Sequence, residues 1–167
     1  MATYERSIRV DAPLEEVWSF HSTVDGLIAL TPAWMNLRVE SVRGPDGTAD
    51  PDVLVAGSEL RLSVQPFGVG PRQEWVSEIT AREESETRAS FRDVMVDGPF
   101  ETWEHTHLFV GDGPQTYITD AITYELPLGQ LGSTVSPLAV FGFEPMFRYR
   151  HRRTKALLED YTGRRNP

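Results

Sequence analysis

Residues Gly98–Val110, GPFETWEHTHLFV, are the most informative stretch of the sequence, in which a turn is followed at once by a long strand-forming run. Glycine and proline mark the turn, and the aromatic and β-branched residues after them favour a strand. Side chains two residues apart share one face of a strand. One face is therefore predicted to carry Glu101, Trp103, His105, His107 and Phe109. Two imidazoles, a carboxylate, an indole and a phenyl ring on one face indicate a cavity wall rather than a dry core.

Similar strand-like runs lie on both sides of this stretch, separated by short segments rich in turn residues. They are predicted at residues 36–42, 58–66, 72–81, 88–96, 100–110 and 115–126. Connections this short join antiparallel neighbours. Residues 36–126 are therefore predicted to form an antiparallel meander.

The two ends of the chain add one strand and the helices. Residues 1–11 are predicted to form a strand and residues 13–31 two short helices, the first ended by Asp25 and Gly26. Residues 133–161 are predicted to form a long C-terminal helix with one apolar side. Such a helix must pack across the concave face of a curved sheet to bury that side. The predicted fold class is α+β, one domain over residues 1–167, with a sheet of about six or seven strands around the C-terminal helix.

The composition of the chain indicates which cellular compartment and which classes of binding partner are favoured. Acidic residues outnumber basic ones by 25 to 16, and the net charge of −9 works against nucleic-acid binding. The basic run Arg148–Lys155 is interpreted as the solvated end of the C-terminal helix, with His151 exposed within it. The absence of cysteine excludes disulfides and favours the cytoplasm, and no apolar run reaches the roughly 20 residues of a membrane span.

Several segments resemble one superfamily. The opening Ser7–Phe20, SIRVDAPLEEVWSF, together with residues 98–107, 119–127 and 147–150, is similar to the START-like, or helix-grip, proteins. That group includes the plant pollen allergens and the polyketide cyclases and dehydrases. The resemblance implies a cavity between the sheet and the C-terminal helix, but it does not decide function, because the fold serves carriers, receptors, cyclases and co-chaperones.

Candidate site residues follow from the strand faces and from the expected place of the C-terminal helix. Asp93 is expected to face His105 across the sheet, and Asp120 to lie beside the histidines, where an aspartate can orient an imidazole for proton transfer. His105 and Asp120 are the candidate catalytic residues. The predicted ligand-binding residues are Trp34, Trp75, Phe91, Asp93, Glu101, Trp103, His107, Tyr124, Phe141 and Phe147.

The leading functional hypothesis is that the cavity binds a hydrophobic or amphipathic small molecule, such as a lipid, a polyketide or an aromatic compound. One alternative is a cyclase or dehydratase in which His105, oriented by Asp120, moves protons. A second is a protein-interaction module, similar to the co-chaperones of the superfamily, with an exposed apolar patch and a filled interior. His105 and His107 also have the spacing of two metal ligands, with Glu101 or Asp120 as a carboxylate. Because an organic ligand explains the cavity without a metal, neither a metal nor another cofactor is predicted.

Overall fold

The computed structural model describes residues 1–126 and 140–163, without the side chains of residues 140–142 and 160–163. Within those ranges the chain forms seven strands and three α-helices. The strands are β1 (Ala2–Val10), β2 (Arg38–Arg43), β3 (Glu59–Val64), β4 (Gln73–Glu84), β5 (Arg88–Asp97), β6 (Thr102–Asp112) and β7 (Gln115–Glu125). The helices are α1 (Leu14–His21), α2 (Val24–Ala29) and α3 (Val140–Gly163). Short 3-10 turns lie at Ala33–Met35 and Pro66–Gly68.

All seven strands belong to one antiparallel sheet, in the order β1-β7-β6-β5-β4-β3-β2. Strands β2 to β7 are a simple meander, and β1 closes the row by pairing with β7. The pairing shifts register between Val39 and Ser41 in β2 and at two places in β4. Such bulges bend a strand and increase its twist, which curves this end of the sheet. The predicted α+β helix-grip fold class is confirmed.

Helix α3 is held to the sheet by apolar packing and by polar contacts with β1. Phe143 and Phe147 pack against Tyr4, Ile122 and Tyr124. Nearer the C-terminus of the helix, Leu158 joins a second cluster of buried side chains from β1, α1, β6 and β7. Glu144 accepts hydrogen bonds from the Tyr4 hydroxyl at 2.6 Å and from the Arg6 guanidinium at 2.7 Å. The part of the predicted helix at residues 133–139 lies outside the described residues.

The prediction that Asp25 and Gly26 end the first helix is wrong. Helix α1 ends at His21, and both residues lie inside α2, where the Thr23 hydroxyl accepts a hydrogen bond from the Gly26 amide. A Cβ atom at position 26 would lie 2.0 Å from the carbonyl oxygen of Phe20. Glycine stands here because two helices approach closely, a requirement that is set by tertiary packing and not by local helix propensity.

Candidate functional site

A cavity of about 510 Å³ lies between the sheet, the α2 region and helix α3. Most of its wall is apolar, contributed by strands β3 to β6 and by α3. The larger apolar side chains on it include Leu60, Leu62, Trp75, Phe91, Trp103 and Phe147. The volume lies in the range of small-molecule sites, which is typically 300 to 1,000 Å³.

One region of the wall is polar, and the sheet register explains its composition. Asp93 on β5 pairs directly with His105 on β6, and His107 on β6 pairs with Asp120 on β7. His105, His107 and Phe109 all lie on the buried face of β6, as the alternation of the sequence predicted. We call Asp93, His105, His107 and Asp120 the histidine-aspartate cluster.

Asp120 lies behind the two histidines and is buried, with 1% of its surface exposed. Its Oδ1 accepts a hydrogen bond from His105 Nε2 at 2.9 Å. His107 Nδ1 lies 2.8 Å from the same oxygen, although its direction is not that of a hydrogen bond. Each imidazole therefore directs one nitrogen towards Asp120. The second nitrogen of each ring, Nδ1 of His105 and Nε2 of His107, is directed away from Asp120.

Asp93 faces the two histidine nitrogens that are directed away from Asp120. Its Oδ1 lies 3.8 Å from His105 Nδ1 and 3.4 Å from His107 Nε2, and its Oδ2 accepts a hydrogen bond from the Ser77 hydroxyl at 3.2 Å. Asp93, His105 and His107 all line the cavity. One ligand atom from each of the three lies within 4.8 Å of the others, a spacing that could hold a metal ion.

The contacts within the cluster shift the pKa values of its two histidines in opposite directions and lower those of both aspartates. Burial lowers the pKa of His105, and the neighbouring charge of His107 lowers it further. Burial also disfavours the charged form of His107, but attraction to Asp120 and Asp93 outweighs burial and raises the pKa of His107. The histidines likewise outweigh the burial of both carboxyl groups, so the pKa of Asp93 is lowered and that of Asp120 is well below its usual value.

Sequence reasoning missed His151, which was predicted to be exposed. The side chain is buried, and its Nε2 donates a hydrogen bond of 2.6 Å to Asp120 Oδ2. The sequence does contain a pattern that predicts burial of this histidine. Intervals of four, three and four residues, the spacing of one helix face, separate Phe147, His151, Thr154 and Leu158. All four are buried. His151 was predicted to be exposed because arginines surround it in the sequence, but it belongs to the apolar face of α3.

The basic run is also not wholly a solvated surface. Arg148 is exposed and pairs with Glu144 on the same helix at 2.8 Å. Arg150 is half-buried and lines the cavity. A cation therefore faces the cavity in addition to the histidine-aspartate cluster.

Most of the predicted ligand-binding residues lie on the cavity wall. Those that line it are Trp34, Trp75, Phe91, Asp93, Trp103, His107 and Phe147. The candidate catalytic residue His105 lines it too, whereas its partner Asp120 lies in a layer behind.

Two predicted residues are placed differently. Glu101 is exposed, because β6 begins only at Thr102 and the strand alternation does not extend back to it. Tyr124 is buried outside the cavity wall, where its ring packs against Phe143 at 4.9 Å between centroids. It pairs with Trp103 in the sheet, and α3 covers it. The side chain of Phe141 lies outside the described residues.

This architecture, a curved antiparallel sheet around a long helix with a cavity between them, defines a START-like helix-grip domain. Residues 1–159 match the family described as polyketide cyclase / dehydrase and lipid transport, and the chain belongs to that family. Family and fold together support a general role in binding hydrophobic ligands or in cyclase-like chemistry. No curated protein matches the chain in sequence.

Solved structures share the fold at low sequence identity. Norcoclaurine synthase from Thalictrum flavum, in complex with dopamine and hydroxybenzaldehyde, is 18% identical with a TM-score of 0.63, over 95% of this chain and 87% of that chain. A START superfamily protein from Mycobacterium smegmatis is 17% identical with a TM-score of 0.60, over 95% and 98%. A protein from Arthrobacter aurescens is 16% identical with a TM-score of 0.66, over 95% and 86%. Within the described residues, no helix combines the length and apolar character that crossing a bilayer requires.

Proposed function

We propose that the protein binds an amphipathic small molecule, such as a lipid, a polyketide or an aromatic compound, in the cavity between its sheet and α3. The observation that carries this proposal is the composition of the wall, which is mostly apolar but includes Asp93, His105 and His107 of the histidine-aspartate cluster together with Arg150. The other polar side chains of the wall are those of His21, Gln73, Arg82 and four serine and threonine residues. An apolar body buried against the aromatic wall gains about 25 cal/mol per Å², so roughly 200 Å² contributes about 5 kcal/mol. The polar groups then determine the orientation of the ligand.

The arrangement favours a ligand with a polar group at one end. His105 Nδ1 and His107 Nε2 face Asp93 at the cavity surface and can exchange hydrogen bonds with an oxygen-bearing group. Arg150 adds a cation that favours partial or full negative charge on that group. The norcoclaurine synthase complex, which contains dopamine and hydroxybenzaldehyde, is an example of this fold with two aromatic molecules.

Native mass spectrometry of the protein purified from its own host tests the proposal without a guess at the ligand. We expect an additional mass that is retained under native conditions and released by denaturing extraction, and an apolar body in the extracted compound. A protein that carries no molecule, and that binds none of a panel of fatty acids, polyketides and aromatic compounds, would contradict the proposal.

A second candidate function is acid–base catalysis of the cyclase or dehydratase type. The observation that favours it is the orientation of His105, whose Nε2 donates a hydrogen bond to Asp120 while its Nδ1 lies 3.8 Å from Asp93, and both His105 and Asp93 line the cavity. An imidazole oriented in this way can accept a proton from a bound substrate. For this function, His105→Ala abolishes turnover of a polyketide-like substrate and leaves its binding largely unchanged. Equal losses in turnover and binding would favour the carrier.

The interaction-module alternative has less support. Of its two predictions, an exposed apolar patch and a filled interior, the second disagrees with the cavity of about 510 Å³ that the described residues line. The cavity therefore favours small-molecule binding over a purely structural core.

A further inference from the structure

The cavity side of the histidine-aspartate cluster has the donor set of a transition-metal site. We infer that Asp93 Oδ1, His105 Nδ1 and His107 Nε2 bind one divalent transition-metal ion at the cavity wall. The inference deepens the proposed function and rests on it in one respect, because the bound ion would receive the polar group of the cavity ligand.

The distances suit an ion with only small adjustments. Two donors that are each about 2.1 Å from a tetrahedral zinc ion lie roughly 3.4 Å apart. Asp93 Oδ1 is 3.4 Å from His107 Nε2 and 3.8 Å from His105 Nδ1. The three residues lie on adjacent strands, in positions that the β5–β6 register holds opposite each other. One ligand atom from each residue lies within 4.8 Å of the others, and rotation about side-chain bonds brings the three to the shorter separation around a common ion.

A second layer of contacts orients the three donors. A histidine that binds a metal typically directs its other ring nitrogen to a carboxylate or carbonyl group, which fixes the ring orientation and its tautomer. Asp120 does this here, accepting from His105 Nε2 and lying 2.8 Å from His107 Nδ1. Ser77 holds the other oxygen of Asp93. These supporting contacts distinguish the group from a chance meeting of polar side chains.

Donor chemistry and charge define the class of ion. Two imidazoles and one carboxylate suit zinc, cobalt, nickel, copper or iron, whereas magnesium and calcium prefer oxygen donors throughout. Asp93 and Asp120 place two carboxylates in a largely buried site, and a divalent cation balances both charges. With three protein donors, the ion keeps at least one position for water or for an oxygen of the cavity ligand.

The test is calorimetric titration of the chelator-treated protein with Zn²⁺ alone, and with Co²⁺, whose visible absorption reports its ligands. We expect one ion per chain. Asp93→Asn, which keeps the size of the side chain, should weaken binding by about 100-fold or more, and Asp120→Asn by about 10- to 100-fold. The matched control is Glu101→Gln, which removes an exposed carboxylate outside the cluster and should leave the affinity unchanged.

Circular dichroism establishes that each variant is folded. If Asp93→Asn does not fold, Ser77→Ala replaces it and is expected to weaken binding by about 10-fold. The absence of saturable binding to the wild type, or the same affinity in wild type and Asp93→Asn, would overturn the inference. Binding of an apolar ligand in the presence of chelator is measured separately. Failure of the metal site therefore leaves the proposed function standing, and failure of ligand binding leaves the metal site standing.

Discussion

His151 Nε2 on α3 lies 2.6 Å from Asp120 Oδ2 on β7, and both side chains are buried. The contact joins residues 31 positions apart and connects the long helix to the polar part of the cavity wall. Asp120 thereby holds His105 from the sheet side and His151 from the helix side. The position of the helix is thus linked to the orientation of a cavity-lining histidine.

Replacing His151 should destabilise the protein. His151→Leu removes a hydrogen bond to a buried carboxylate, an interaction whose contribution is about 1.5 to 3 kcal/mol. Urea denaturation should show a fall of that size in the free energy of unfolding. Arg152→Ala is the control, because that neighbouring side chain is exposed, and a loss in His151→Leu no larger than in the control would show that the contact does not stabilise the fold.

Gly26→Ala should also destabilise the protein, for a steric reason. The new Cβ would lie 2.0 Å from the Phe20 carbonyl oxygen, so α2 must move away from the end of α1. Overpacking of this kind costs about 1 to 3 kcal/mol. Ile28→Ala, at an exposed position of the same helix, should cost much less in the same thermal or urea unfolding experiment. Comparable losses in both variants would contradict the steric explanation.

His21 should make the protein sensitive to mild acid. Burial and the nearby charge of Arg150 lower the pKa of His21 to about 3, from an ordinary value of 6.5. The unfolded chain therefore takes up a proton below about pH 6.5, while the folded chain does so only near pH 3. This contribution reduces stability as the pH falls through that window, by up to about 1.4 kcal/mol per pH unit.

The variant His21→Asn isolates this contribution, because it retains an N–H for the Val17 carbonyl, which the His21 ring contacts at 2.8 Å, but does not titrate. Between pH 7 and pH 4, the free energy of unfolding of wild type should fall more steeply than that of the variant. Parallel curves for the two proteins would assign the acid sensitivity to other groups.

Trp103 and His105 should contribute differently to ligand binding, Trp103 to the affinity and His105 to the choice of ligand. Trp103→Ala removes apolar contact area and should weaken the binding of many ligands by about 2 kcal/mol, or roughly 30-fold. His105→Ala should instead change which ligand is preferred. Titrations with a panel of apolar and amphipathic compounds measure both effects, with Tyr117→Ala, an exposed residue on β7, as the control. Equal and unselective losses from both cavity variants would contradict this division.

Much of the fold is predictable from local features of the sequence. Short turns between alternating runs predict the meander, because an antiparallel neighbour is the only strand that a short connection can reach. The two-residue repeat of β6 is also a local feature. It places His105, His107 and Phe109 on one face, because successive side chains of a strand point to opposite sides. The C-terminal helix and its position over the sheet follow from the need to bury an apolar side.

The detailed geometry of the site required the tertiary structure, although the pairing of Asp93 with His105 and the place of Asp120 beside the histidines were expected from the strand faces. The sequence determined which side chains share a face, because strand and helix periodicity are properties of the local backbone. Only the folded chain decided that Asp93 faces the free nitrogens of both histidines, that His151 reaches Asp120, and that Tyr124 lies under α3 and not on the cavity wall. Those relationships depend on strand register and helix docking, which are set by contacts between residues far apart in the chain and leave no periodic signal in the sequence.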